Sequence, residues 1–253
     1  MKHWKPVILA LKLVMIGLLL TGCASLSSGP QTEYSPEEAL TRQLDALQSS
    51  ADFSSGCIDP ARQHVGVSDC LRHLRALDEL VLIHPYHERI RMAAAVMHYR
   101  IGDVNKAQEL LDQLVWLPSP RPEARVLRSR IALEQGNLRL AGSLLEEALV
   151  QSPDYPEIRE GLAAVRYVSG DYAQAEILLE QADRLGSPAW RIQYLQGLVQ
   201  EAQAHPDLAC SHYSRALAIN PGHKASSGRL MGLAYHPVCY QYLQAQREQE
   251  VPL

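Results

Sequence analysis

Five cysteines are the residues in this 253-residue sequence best placed to do chemistry. Cys23 stands just beyond an apolar run, while Cys57, Cys70, Cys210 and Cys239 are spread along the rest of the chain. Four cysteines in an exported protein favour disulfides, and three pairings are open to them. The local pairings are preferred. Cys57–Cys70 would close a loop of about 14 residues, for which chain entropy gives about 3 kcal/mol. Cys210 and Cys239 fall in the first turns of two predicted parallel helices, at one edge of a stack. A bridge there requires Cα atoms within about 7 Å, and buried free thiols are the alternative. No CxxC spacing points to a metal. His73, His84, His87 and His98 are near one another in sequence, yet a metal centre needs two on one face plus further ligands. They read as exposed or capping histidines. There is no Gly-rich phosphate loop, no HExxH, no GxSxG and no carboxylate pair outside ordinary helix faces. The sequence therefore predicts no enzyme, no metal and no cofactor.

The N-terminus explains Cys23. Lys2 and Lys5 precede the 14-residue apolar run Val7 to Leu20, followed by Leu20-Thr21-Gly22-Cys23. Charge, a short apolar core and small residues before a cut site make a secretory signal peptide. The run is shorter than the ~20 apolar residues of a membrane-spanning helix. The quartet at 20–23 resembles the lipobox of bacterial lipoproteins. That resemblance implies a signal peptide over 1–22, cleavage before Cys23, a diacylglycerol thioether on its sulfur and acylation of its new amino group. Three acyl chains, at about 0.8 kcal/mol per buried methylene, hold far more firmly than one. Residue 24 is Ala rather than Asp, which by the same family's sorting rule implies the periplasmic face of the outer membrane. Net charge is −4 with acids and bases interleaved, so no basic stripe argues for nucleic acid.

The elements that position the rest are helices. Ser25 to Tyr34 is rich in Ser, Gly, Pro and Thr and reads, with Cys23 to Ser35, as a flexible tether. Ser35-Pro36-Glu37-Glu38 is a helix start, carrying Leu40, Leu44 and Leu47 on one face. Residues 50–67 hold Gly56, Pro60 and Gly66 and read as an irregular connection. Asp69 to Ile83 is a second apolar-faced helix, so 36–85 forms an N-terminal helical pair. Beyond it Gly102, Gly136 and Gly170 are each 34 residues apart, and Ala107, Ala141, Ala175 and Ala209 keep the same step through a fourth cycle. Small residues precede each turn by seven: Ala95, Ser129, Ala163 and Gly197. Two small side chains facing each other let helix axes approach to about 8 Å. Leu111, Leu145, Leu179 and Tyr213, four beyond each alanine, should fill the interface with the next pair.

This pattern resembles the tetratricopeptide-repeat family over 86–221, with a degenerate pair or cap over 222–253. The implied fold is all-α, a helix–turn–helix superhelix behind the lipoprotein signal. The fourth turn, Ala204-His205-Pro206, lacks the glycine, and the family's first-helix Trp is absent. The resemblance places a concave groove on the first helices. Its candidates are Arg89, Met92, Val96, Tyr99, Arg130, Leu133, Tyr167, Arg191, Tyr194 and Leu198. The Lys/Asn clamp for a C-terminal carboxylate is missing, since its positions hold Val96, Arg130, Ala164 and Leu198. The expected partners are envelope proteins bound as a helix or extended peptide, and the membrane through the N-terminal lipid. Assembly of pilus or secretion machinery is the preferred setting, ahead of peptidoglycan-hydrolase control or polysaccharide export. A homodimer through the convex face is the structural alternative. An enzyme would have to be housed in 50–67, which pairs no nucleophile with a base.

Overall fold

A computed structural model describes residues 35–49 and 69–250, which form twelve α-helices and no strand. The expected signal peptide, Cys23, its tether to Tyr34, the 50–67 connection and Cys57 lie outside the described residues. No described helix is long and apolar enough to cross a membrane. Helix α1 (Pro36–Ser49) opens with a reciprocal cap: Ser35 N donates to Glu38 Oε2 at 3.2 Å and Glu38 N to Ser35 Oγ at 3.3 Å. It packs on α2 (Asp69–Ile83) through Leu40, Leu47, Leu74 and Leu77, all buried.

Four helical pairs follow: α3 (Glu88–Arg100) with α4 (Val104–Val115), α5 (Pro122–Glu134) with α6 (Leu138–Gln151), α7 (Pro156–Val168) with α8 (Tyr172–Arg184), and α9 (Ala189–Ala202) with α10 (Pro206–Ile219). Helices α11 (Lys224–Gly232) and α12 (Pro237–Glu250) close the array. Each second helix also packs on the next first helix, so one continuous stack results. Cys210 on α10 is disulfide-bonded to Cys239 on α12, with Cα atoms 5.3 Å apart and a sequence separation of 29. A loop of that size corresponds to roughly 3–4 kcal/mol of closure entropy. The bond ties the terminal pair to the regular repeats. Cys70 is likewise a disulfide cysteine.

The turn within each pair follows one chemistry. Gly102, Gly136 and Gly170 take φ of +86°, +77° and +81°. The amide just past each turn glycine then reaches back to a carbonyl five residues earlier: Asp103 N to His98 O at 2.9 Å, Asn137 N to Ala132 O at 2.8 Å, Asp171 N to Arg166 O at 2.9 Å. Asp103, Asn137 and Asp171 also cap the second helix, accepting from Lys106 N, Leu140 N and Gln174 N. The fourth turn keeps the geometry without the glycine. Ala204 adopts φ +61°, His205 N reaches Gln200 O at 2.9 Å, and His205 gives no side-chain cap. A left-handed non-glycine residue costs roughly 1–2 kcal/mol.

Within the pairs, Ala95, Ala107, Ser129, Ala141, Ala163, Ala175, Gly197 and Ala209 are all buried. The fourth pair departs in size. Tyr213 replaces the leucine of the other cycles and is fully buried, and a Cβ on Gly197 would lie 2.5 Å from its Cε1. Glycine at 197 is therefore the space that the ring occupies. Tyr213 Oη donates to Glu201 Oε2 at 2.6 Å, which satisfies its one buried polar atom.

Two outcomes test these packing arguments by thermal and urea unfolding. Ala204→Gly should stabilise the chain by about 1 kcal/mol, by removing the left-handed penalty. Gly197→Ala should destabilise it by about 1–3 kcal/mol through overpacking. Adding Tyr213→Leu to Gly197→Ala should recover part of that loss, and strictly additive effects would mean the two side chains do not compete for space.

Candidate protein-binding groove

The first helices and the N-terminus of α11 share one face of the stack. A depression of about 380 Å³ runs across α5, α7 and α9 to His223 and holds the sequence-named Arg130, Leu133, Arg191 and Tyr194. A second, of about 430 Å³, lies between α1 and α3 and holds Arg89, Met92 and Val96 beside Leu40, Leu44 and Leu47. A smaller one of about 60 Å³ holds Tyr167 and Leu198. Of the named residues only Tyr99 lines none of these three. Its hydroxyl donates to Glu134 of the next first helix. The structure thus brings nine of the ten onto depressions of one face, in separate groups rather than one site.

Polar groups on this face mostly link one repeat to the next. Glu160 is buried beneath the central depression and accepts from Ser187 Oγ at 2.7 Å and from Arg191 Nη1 at 3.2 Å. Glu201 accepts from Tyr213 and from Arg229 Nη1 at 3.1 Å. Arg89 pairs with Glu37 of α1. Arg191 and Arg89, read from sequence as partner contacts, are therefore engaged with carboxylates of neighbouring elements. Their aliphatic stems still line the depressions.

An aromatic wall completes the central depression. The Arg191 guanidinium lies 5.4 Å from the Trp190 ring centroid. The His223 ring sits 4.7 Å from Trp190 and 4.8 Å, edge-on, from Tyr194. Tyr194 in turn is 6.0 Å from Tyr213, and Tyr167 is 6.0 Å from Tyr172. Trp190 and His223 were not among the sequence candidates. Trp190 is one place before the groove register, and His223 is the residue preceding α11, a position that no 34-residue step marks.

Burial sets the protonation of this wall. Desolvation, helped by Glu134, pushes the Tyr99 hydroxyl up to about 12, and desolvation raises Tyr167 and Tyr213 as well. These hydroxyls stay neutral donors at any physiological pH. Burial depresses His223, and burial with Arg215 nearby depresses His212. His98 is buried between Asp78 at 2.9 Å and Asp103 at 3.1 Å, and His87 caps α3. Among the described residues no three His, Cys, Asp or Glu side chains gather as a metal set.

Stacked helical pairs that share one inner face make the molecule an α-solenoid of the protein-binding scaffold class. Models of the tetratricopeptide repeat match residues 92–156 and 132–198. Residues 92–198 of the chain are thus tetratricopeptide repeats. Similar solved structures include a thermophilic TPR protein of Thermus thermophilus, at 17% identity, covering 80% of this chain and 100% of that one with a TM-score of 0.63. The Cut9–Hcn1 hetero-tetramer of the APC/C matches over 83% of this chain and 46% of that one, at 12% identity and a TM-score of 0.57. MamA from residue 41 onward, of Desulfovibrio magneticus RS-1, matches over 74% and 96%, at 12% identity and 0.52. At these identities the likeness concerns the fold alone. No curated protein matches the sequence.

A pH dependence follows from the depressed histidines. His212 and His223 are held neutral in the folded chain and take up protons more readily once it unfolds. Their contribution is present above the unfolded value of about 6.5 and is lost as pH falls below it. The urea midpoint should therefore drop between about pH 7 and pH 5. A His212→Gln, His223→Gln double variant should show a shallower drop, and an identical slope would assign the dependence to other groups.

Proposed function

We propose that this protein is a lipid-anchored adaptor on the periplasmic face of the outer membrane. It captures envelope proteins, as a helix or an extended peptide, in the face lined by its first helices, and it serves assembly of pilus or secretion machinery. The observation that carries the reading is the central depression, where Trp190, Tyr194 and the Arg191 stem flank an apolar floor of Val126, Leu133 and Ala164. Aromatic residues and Arg are the types that dominate the buried centres of protein interfaces. The central depression spans three successive first helices, a span that suits an extended peptide or a helix. Its one buried carboxylate, Glu160, is tied to Arg191 and to Ser187, which favours binding over turnover. The anchor rests on the lipobox at 20–23, and the choice of machinery rests on resemblance in length and repeat count.

Replacing Tyr167 and Tyr194 together by Ala should weaken partner capture by about tenfold or more, at about one to two kcal/mol per truncated anchor, while the helical circular dichroism is kept. Photo-cross-linking from position 133, on the same face, in native membranes and read by mass spectrometry identifies the partner. Equal recovery of that cross-linked partner with and without the two Ala substitutions would move the binding site elsewhere. The anchor is tested separately, by palmitate labelling that Cys23→Ser abolishes.

A further inference from the structure

Every connection from one pair to the next emerges at a single edge of the stack, because all second helices run towards it and all first helices away from it. At that edge three residues spaced 34 apart, Leu82, Trp116 and Val150, are 80%, 73% and 85% exposed. Ile83, Tyr86 and Ile219 are exposed there too. Helix C-termini favour cations and polar groups, so a repeated apolar row at these ends has no local cause. The connecting segments 82–87, 116–121, 150–154, 184–188 and 218–222 carry three formal charges, Arg121, Asp154 and Arg184. The opposite edge differs. Its turns present Asp103, Arg139, Asp171 and Asp207, and although Leu71, Val168, Leu208, Met231, Tyr235 and Tyr240 are exposed near it, they form no row at the 34-residue step.

The chain enters the fold at the apolar edge. Glu37, in the first turn of α1, pairs with His87 at 3.2 Å and with Arg89, directly beside Ile83 and Tyr86. Twelve residues, 24 to 35, separate Cys23 from that point, a reach of at most about 40 Å. We infer that this edge rests on the lipid surface, with Trp116 at headgroup depth and Leu82 and Val150 beside it. The inference rests on the lipid anchor proposed above. Trp and Tyr favour that depth, and a weak surface contact added to an acyl anchor is the two-signal arrangement that fixes a protein on a bilayer. The five connections hold few formal charges, and Glu37 beside them is paired with Arg89, whereas the turns of the other edge carry Asp103, Asp171 and Asp207, which a lipid surface would expel.

The test uses the full lipidated chain reconstituted in vesicles of phosphatidylethanolamine and phosphatidylglycerol. Comparison with Trp116→Phe isolates Trp116 from Trp190. Trp116 emission should shift to the blue, and brominated acyl chains should quench it by about half. A reporter at the opposite edge, Val168→Trp, should be unquenched. A chain that floats with the vesicles while Trp116 stays unquenched overturns the edge contact and leaves the anchor standing. A chain that does not float overturns both. Blue-shifted Trp116 without vesicles, together with a concentration-dependent dimer in sedimentation, assigns the row to a second copy and overturns the lipid contact.

Discussion

Small side chains inside each helix pair set the spacing on which the array is built. With Ala95 and Ala107, Ala163 and Ala175 or Gly197 and Ala209 buried, two backbones lie close, and the larger residues are left to face outward from the pair. Those residues, Leu111, Leu145 and Leu179, then become the contact with the next pair. Leu145 shows the coupling directly, since its Cδ2 lies 2.9 Å from where a Cβ on Gly161 of α7 would stand. Close packing at one level therefore dictates glycine at the next. The same constraint accounts for Tyr213, whose ring is accommodated only because residue 197 has no side chain.

A second tier of contacts makes the stack a stiff surface. Glu160 to Arg191, Glu201 to Arg229 and Tyr99 to Glu134 each join neighbouring first helices, and Arg128 to Asp112 at 2.5 Å joins α5 to α4. Isolated surface pairs contribute little, and Arg229 with Glu201 belongs in that group. Glu160 is different because it is buried; removing Arg191 would leave a carboxylate without its ionic partner. These links hold the first helices in register, and so preserve the shape of the face between them.

The repeat was legible in sequence wherever residue size or backbone freedom alone decides structure. Gly102, Gly136 and Gly170 marked left-handed turns, and the small residues around them marked the buried crossings. What the pattern could not reveal is which side chain compensates for a broken position. Ala204 takes the left-handed conformation although it lacks glycine's freedom, since Pro206 and the reach of His205 N to Gln200 O keep the turn in place. Register likewise placed Arg191 on the groove face, but the carboxylate that holds it, the ring beneath it and His223 beside it depend on tertiary contacts. Periodicity locates positions; it does not choose partners among them.

The two edges and the groove fix one another's directions. Helices in a stack of this kind run from edge to edge, so an edge lying on a bilayer sets them upright on it. The first-helix face then looks sideways, along the membrane, and not towards the lipid. A partner meeting Trp190 and Tyr194 would approach through the space beside the membrane, with the charged turns at Asp103, Asp171 and Asp207 pointing away from it. Cys210–Cys239 closes the far end of the row, and α1, where the tether enters, closes the near end. With the acyl anchor at one end and a weak apolar contact along the edge, the protein would keep its groove parallel to the surface without burying any residue that lines it. On the proposed reading, anchor and capture site would occupy different faces of one stack, so that a partner could be bound while the chain stayed on the membrane.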